Sequence, residues 1–189
     1  MMWSVSSILS ICVVLLFGSC ADDKPDVFMT KSGLYGSLEG EFIAKFPSKP
    51  NVLVQKNSLG NVEFDGVNFI SSVGIEHDYH VSYVDYPEVV LEGWEIEDLF
   101  DQSAEIASKR SDIFDRLKKF PVESEEYEKQ ADYIFRSSKP NVTSLMRMRL
   151  LKSDKRIYTV TFIAMRNIPE QEEIDEFIDS FRIYKPNKL

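Results

Sequence analysis

Two groups of residues in this sequence could do chemistry: a cysteine near its start and a pair of histidines further along. Cys20 follows Gly18 and Ser19 at the end of an uncharged stretch, and the chain's other cysteine, Cys12, lies inside that stretch. If the chain is cut before Cys20, no intramolecular disulfide can form. A thiol at a chain terminus also lacks the folded, electropositive surroundings that make a catalytic thiolate. Covalent attachment is therefore the remaining interpretation of Cys20.

His77 and His80 both lie in the sequence EHDYH, residues 76–80. Two imidazoles and a carboxylate can bind zinc or copper. On a strand, however, residues three apart point to opposite faces, so these rings converge only if the chain turns between them. The spacing is not that of the HExxH zinc motif, and the sequence indicates no third ligand. The alternative is a pair of surface or turn histidines.

An acidic region separates Lys56 from Lys109, with no lysine or arginine between them. Its acids are Glu63, Asp65, Glu76, Asp78, Asp85, Glu88, Glu92, Glu95, Glu97, Asp98, Asp101 and Glu105. Such a region could attract a basic partner or a divalent cation, although it has no EF-hand spacing. The alternative is a solvated acidic face. The net charge of −9 argues against nucleic-acid binding, which needs a basic surface.

The first 19 residues have the character of a secretion signal. They carry no charged side chain, and Ile8–Phe17 is a mostly apolar run. A run of about ten residues is too short to span a bilayer, which needs about 20. The usual positively charged start is missing. We expect a signal peptide over residues 1–19.

The residues Phe17-Gly18-Ser19-Cys20 resemble the lipobox of bacterial lipoproteins, with Phe17 in place of the usual leucine. The resemblance implies that Cys20 receives a diacylglycerol, that the signal is cut before it, and that the new amine is acylated. It also implies a membrane anchor in the bacterial cell envelope. Because Ala21 replaces the aspartate that retains such proteins at the inner membrane, we expect the outer membrane, on its periplasmic or surface face.

Residues 20–39 are predicted to form a tether and residues 40–189 a single domain. The tether begins with an acidic cluster of Asp22, Asp23 and Asp26. This cluster resembles the surface-export tags of some Bacteroidota lipoproteins, and a solvated linker is the alternative.

The pattern of the domain predicts an α+β fold, an antiparallel sheet covered by helices. Strands are predicted around residues 41–46, 52–55, 62–70, 80–86 and 133–135, and the runs 145–151 and 157–163 form a hairpin. An amphipathic helix, either continuous or with a break, is predicted over Ile96–Lys119, and a last helix is predicted after Pro169. Trp94, just before the first of these helices, is expected in the core or as a partner anchor.

Four segments resemble the PsbP-like superfamily: FIAKFPSKP at 42–50, YHVSYVDYP at 79–87, RIYTVTF at 156–162 and FIDSFRI at 177–183. The resemblance implies a curved, layered antiparallel sheet with helices on its faces. Members of that superfamily act as assembly factors or extrinsic subunits, which implies binding rather than catalysis.

The sequence contains no GxSxG elbow, no Ser-x-x-Lys pair and no phosphate-binding glycine loop. We therefore expect a binding or assembly module of unknown ligand, without a cofactor apart from the lipid on Cys20. An envelope protein is a further possible partner. The alternative is a metal- or carboxylate-dependent envelope hydrolase.

Overall fold

The computed structural model of the chain describes residues 25–59, 61–109, 114, 116–122, 126–137, 139 and 142–185. The predicted signal peptide and Cys20 lie outside these residues. The elements in chain order are β1 (Phe28–Met29), β2 (Tyr35–Ser37), β3 (Phe42–Ala44), β4 (Asn51–Leu59), β5 (Val62–Val73), β6 (His77–Asp85), α1 (Glu88–Gly93), α2 (Ile96–Lys109), β7 (Arg116–Pro121), β8 (Lys129–Arg136), β9 (Leu145–Ser153), β10 (Arg156–Ala164), α3 (Gln171–Ser180) and β11 (Arg182–Ile183).

A seven-stranded antiparallel sheet forms the body, in the order β4-β5-β6-β10-β9-β8-β7. Its central strands alternate as the sequence predicts: in β6, Tyr79, Val81 and Tyr83 are buried while their neighbours are only partly buried. The predicted hairpin is confirmed as β9 and β10, whose pairing runs from Arg156 with Ser153 onward.

Each face of this sheet carries its own core. On one face lie α3 and a small second sheet, in the order β1-β2-β3-β11. Phe42 meets Phe69 there with ring centroids 4.9 Å apart, and Phe177 meets Tyr79 at 5.1 Å. The other core belongs to α1 and α2, with Phe100 fully buried in it. The fold is therefore α+β with the sheet dominant, as the sequence predicts.

Most of the predicted tether, 20–39, is described by the structure and is part of the fold. Strand β2 pairs with β3, Gly36 lies opposite Ile43, and Ser37 is fully buried. The Ser37 hydroxyl accepts a hydrogen bond from the Gly40 backbone N–H at 2.9 Å. Residues 25–39 thus lie on the body, and only residues 21–24 separate Cys20 from the first described residue, Pro25.

The predicted helix Ile96–Lys119 is wrong in its second half. The helix α2 ends at Lys109, and residues 116–121 form the edge strand β7, paired with β8. The apolar spacing continues past Lys109 and mimics a helical stripe. Here pairing with β8, a contact distant in sequence, outweighs local helical preference. Lys118 and Lys119, inside the predicted helix, therefore belong to a sheet edge.

Candidate functional site

Both histidines lie on β6, and their side chains point to opposite faces of the sheet. His77 Nε2 donates a hydrogen bond to the Asn167 carbonyl oxygen at 2.6 Å, and its ring packs against Phe162. His80 lies on the other face, between Ile70 and Thr161 of the adjacent strands. The chain does not turn between the two rings, so they do not converge on one ion.

The His80 ring is held in its neutral form. Its Nε2 is buried and has no hydrogen-bond partner among the described residues. Burial lowers the pKa of His80, and the nearby charge of Asp78 offsets this only in part. The ring as a whole is partly exposed, but its buried, unpaired Nε2 is not available to solvent as a base.

The acidic region divides into carboxylates that are paired and carboxylates that face solvent. The paired ones are Asp65 with Lys56, Asp85 with Arg156, Glu97 with Lys129, Asp101 with Lys119 and Glu105 with Lys109. Glu88, Glu92, Glu95 and Asp98 are exposed on or beside the two helices α1 and α2. Nowhere in the described part of the chain do three His, Cys, Asp or Glu side chains form a group that could hold a metal ion.

Apolar side chains interrupt this acidic surface at α1. Val89 is 62 % exposed and Trp94, just after the helix, is 40 % exposed. Trp94 is thus not a core residue, which was one of the two roles that the sequence suggested. A half-exposed tryptophan among carboxylates is a feature that protein-binding surfaces share.

A cluster of charged residues lies between the sheet and α3, and the sequence analysis did not find it. Arg149 donates from Nε and Nη2 to the two carboxylate oxygens of Asp132, at 2.8 and 2.9 Å. Its Nη1 donates to Asp179 on α3 at 2.7 Å. Arg147 makes an ion pair with Asp175, one helical turn before Asp179. The cluster therefore holds α3 to the sheet at two successive turns.

The electrostatics of the cluster favour its charged form. Burial alone would lower the pKa of Arg149, but the hydrogen bonds and charges of Asp132 and Asp179 outweigh it and raise that pKa. The local sequence MRMRL, residues 146–150, carries the signal: arginines two apart on a strand share a face, and acids four apart on a helix share a face. The packing of α3 on the sheet brings these two patterns together, and the pairing of β8 with β9 adds Asp132 opposite Arg149.

Beside the cluster lies a cavity of about 210 Å³ at the C-terminal end of α3. Its lining includes Arg149, Arg182, Gln130 and the apolar Ile178 and Phe181. The cationic groups are engaged: Arg149 by acids, and Arg182 by the backbone carbonyl of Asp179 and, at 2.6 Å, that of Phe181. The cavity is small compared with the clefts of about 300–1,000 Å³ that hold small-molecule ligands.

A second, wider cleft of about 630 Å³ lies at the start of β4. Its apolar lining comes from Val27, Pro50, Val52, Leu53 and Ile70, and Pro25, Asp26, Lys49 and Asn51 complete it. It is a shallow surface feature, and it continues along one edge of the large sheet. Pro25 places it close in the chain to Cys20.

Strand β4 itself is an unpaired edge. It has nine residues and pairs only with β5, from Asn51 opposite Ile70 to Leu59 opposite Val62. Leu53 and Val54 point to opposite faces and are 52 % and 45 % exposed. The backbone groups of β4 make no backbone hydrogen bond outside the β4–β5 ladder to any residue that the structure describes.

The comparisons with known proteins add no name: the chain matches no family model, no curated protein and no solved structure. Of the described helices, none has the length and apolar character needed to cross a bilayer. The surfaces described above are therefore the basis for any functional statement.

Proposed function

We propose that this protein is a bacterial envelope lipoprotein, anchored by lipid on Cys20, and that its domain is a binding or assembly module. The observation that carries the proposal is the Phe17–Cys20 lipobox, which closes an apolar run only five residues before the first described residue, Pro25. Each buried acyl methylene contributes about 0.8 kcal/mol, and two or more chains anchor a protein stably. The outer membrane is the proposed location, because Ala21 follows Cys20.

The proposed fold relationship is to the PsbP-like superfamily. All four segments on which the resemblance depends supply core aromatics here: Phe42 and Phe46, Tyr79 and Tyr83, Tyr158 and Phe162, and Phe177 and Phe181. The antiparallel sheet with helices on both faces is compatible with that layered architecture. These residues build the body and do not line a reaction site, which supports binding over chemistry.

The hydrolase alternative finds no supporting observation. The two histidines point to opposite faces of β6, and the most exposed acids are solvated rather than gathered in a cleft. Catalytic carboxylates need a concave, partly desolvated setting that shifts their ionisation. We therefore propose the binding role alone.

Lipidation is tested by intact-mass analysis of the protein from the membrane fraction, with Cys20→Ala as the control variant. The proposal expects a mass that begins at residue 20 and includes diacylglycerol and an acyl group. The Cys20→Ala variant should keep its leader and lose the added mass. A bare thiol at Cys20 in the wild-type protein, with the leader still attached, would overturn the proposal.

The binding role is tested by crosslinking in the native envelope, with photoreactive residues introduced singly at Leu53, Val89 and Lys155. The first two positions are exposed apolar sites and the third is an exposed turn that serves as control. A defined partner should crosslink reproducibly from one apolar site and not from Lys155. Equal, diffuse crosslinking from all three positions would contradict a specific module.

A further inference from the structure

The two edges of the seven-stranded sheet are built differently. The edge β7 has the sequence RLKKFP, with three bases and a terminal proline. Charged residues and proline at a sheet edge prevent other strands from pairing with it. The edge β4 has the sequence NVLVQKNSL, with one base, Lys56, and no proline. Only β7 therefore carries the usual protection against strand addition.

The β4 edge also offers the contacts that an added strand needs. Every second residue of an edge strand presents its N–H and C=O groups away from the sheet, where they are ready to pair. Leu53 and Val54 expose apolar side chains on both faces of this edge. The cleft at the start of β4, lined by Val27, Pro50 and Ile70, has room for side chains of an incoming strand. Main-chain bonds supply affinity in this mode, and such pockets supply specificity.

The charged side chains along the β4 edge favour one kind of added strand. Residues 49–59 contain Lys49 and Lys56 and no acid, and one acid, Asp26, lines the cleft beside Lys49. Lys56 has only a long, exposed ion pair with Asp65, at 3.4 Å with 82 % and 55 % of the two side chains exposed. Two copies of β4 side by side would bring together four lysines, whereas an acidic strand would complement them.

We propose that β4 is a docking edge that binds an extended segment of a partner protein, with apolar residues in its middle and carboxylates at its ends. The segment adds as an eighth strand to the large sheet and places an apolar side chain in the cleft beside Pro50. This inference deepens the binding role proposed above and names the chemistry of its partner. It does not depend on lipidation: the intact mass reports on Cys20, and the measurement below reports on β4.

Amide hydrogen exchange of the full-length protein in detergent micelles tests the proposal. The probe is a synthetic peptide in which valine and threonine alternate between two terminal aspartates. At a peptide concentration about four times the dissociation constant, exchange of bound amides slows about fivefold, by the factor 1 + [L]/Kd. We expect this slowing in Asn51–Leu59 and none in Arg116–Pro121. A peptide with a proline at its centre, which cannot pair, should have no effect.

A charge-reversal variant tests the recognition itself. Lys49→Glu with Lys56→Glu should bind the aspartate-ended peptide about tenfold more weakly and prefer a lysine-ended peptide, since rim charges set partner choice. Lys118→Glu with Lys155→Glu makes the same change of net charge at other exposed sites and should behave as wild type. Unchanged circular dichroism and thermal midpoint confirm that each variant is folded.

Three results would overturn the proposal. Slow exchange, in the free monomer, of the β4 amides that point away from β5 means that another part of this chain already covers the edge. Slowing that rises with protein concentration without peptide means that the occupant is a second copy. Peptide-induced slowing that is equal for the proline-containing peptide, or absent at every peptide concentration, means that β4 does not pair with an added strand.

Discussion

Replacement of Asp132 by asparagine should destabilise the protein by about 3 kcal/mol, because it breaks a nearly buried ion pair. Asp132 is the centre of the charged cluster: both its oxygens accept from Arg149, at 2.8 and 2.9 Å, and Arg147 Nη2 lies 3.7 Å away. The Asp132 side chain is only 9 % exposed and that of Arg149 is 16 % exposed.

The size of this destabilisation follows from the charge of Arg149, which stays in place when Asp132 is neutralised. Removal of one partner of a buried pair costs about 3–5 kcal/mol, since the other charge remains desolvated. Here Asp179, which is exposed, still accepts from Arg149 Nη1, so the cost should lie at the lower end of that range. For a chain of this size, 1 kcal/mol corresponds to about 2–4 °C, so the thermal midpoint should fall by about 6–12 °C.

Urea unfolding followed by intrinsic fluorescence measures the effect, with an unchanged m-value as the sign that only stability has changed. The matched control is Asp65→Asn, which removes the exposed Lys56–Asp65 pair and should cost less than about 0.5 kcal/mol. A double-mutant cycle with Arg149→Met should give a coupling of about 2 kcal/mol. If Asp132→Asn is no more costly than Asp65→Asn, the Asp132–Arg149 pair does not stabilise the fold and the reasoning is wrong.

Two further predictions concern the small sheet and the buried histidine. Gly36→Ala should destabilise the protein by about 2 kcal/mol, because the new Cβ would lie 2.3 Å from the Phe42 carbonyl oxygen. Faster proteolysis of residues 25–44 would show this loss of stability. The control is Gly93→Ala, whose new Cβ meets no atom within 4 Å. The lowered pKa of His80 means that the unfolded chain takes up a proton near pH 6.5 while the folded chain does not. Stability is therefore fully present above pH 6.5 and should fall as the pH drops below it. His80→Leu should flatten this fall, and an NMR titration of the His80 ring with a midpoint at or above 6.5 would refute the assignment.

The periodic spacing of apolar residues in the sequence predicted several strands and helices correctly. The alternation of Tyr79, Val81 and Tyr83 predicted β6, and the spacing of Ile174, Phe177 and Ile178 after Pro169 predicted α3. These elements bury one face each, so their periodicity is visible in a single sequence. The hairpin of β9 and β10 was predictable for another reason, because a short polar loop joins two runs of strand-forming residues.

The elements that sequence reasoning missed depend on pairing with other elements and not on a periodicity of their own. Strands β1 and β2 have two and three residues, too few for a period, and they form only because β3 lies beside them. The strand β7 continues a spacing that fits a helix equally well. The Arg147–Arg149 cluster needs the register of β8 with β9 and the position of α3, neither of which a single sequence reveals.

If Cys20 carries lipid, as we propose, the short stretch from Cys20 to Pro25, the first described residue, limits how far the domain can lie from the membrane. Five peptide steps separate the two residues, so their Cα atoms can be at most about 18 Å apart. A domain of this size is about 40 Å across. Such a tether lets the domain change its orientation on the membrane surface but does not let it move away from that surface. A binding partner must therefore reach the membrane surface or be a membrane protein itself. When both partners are confined to one membrane, they meet more often.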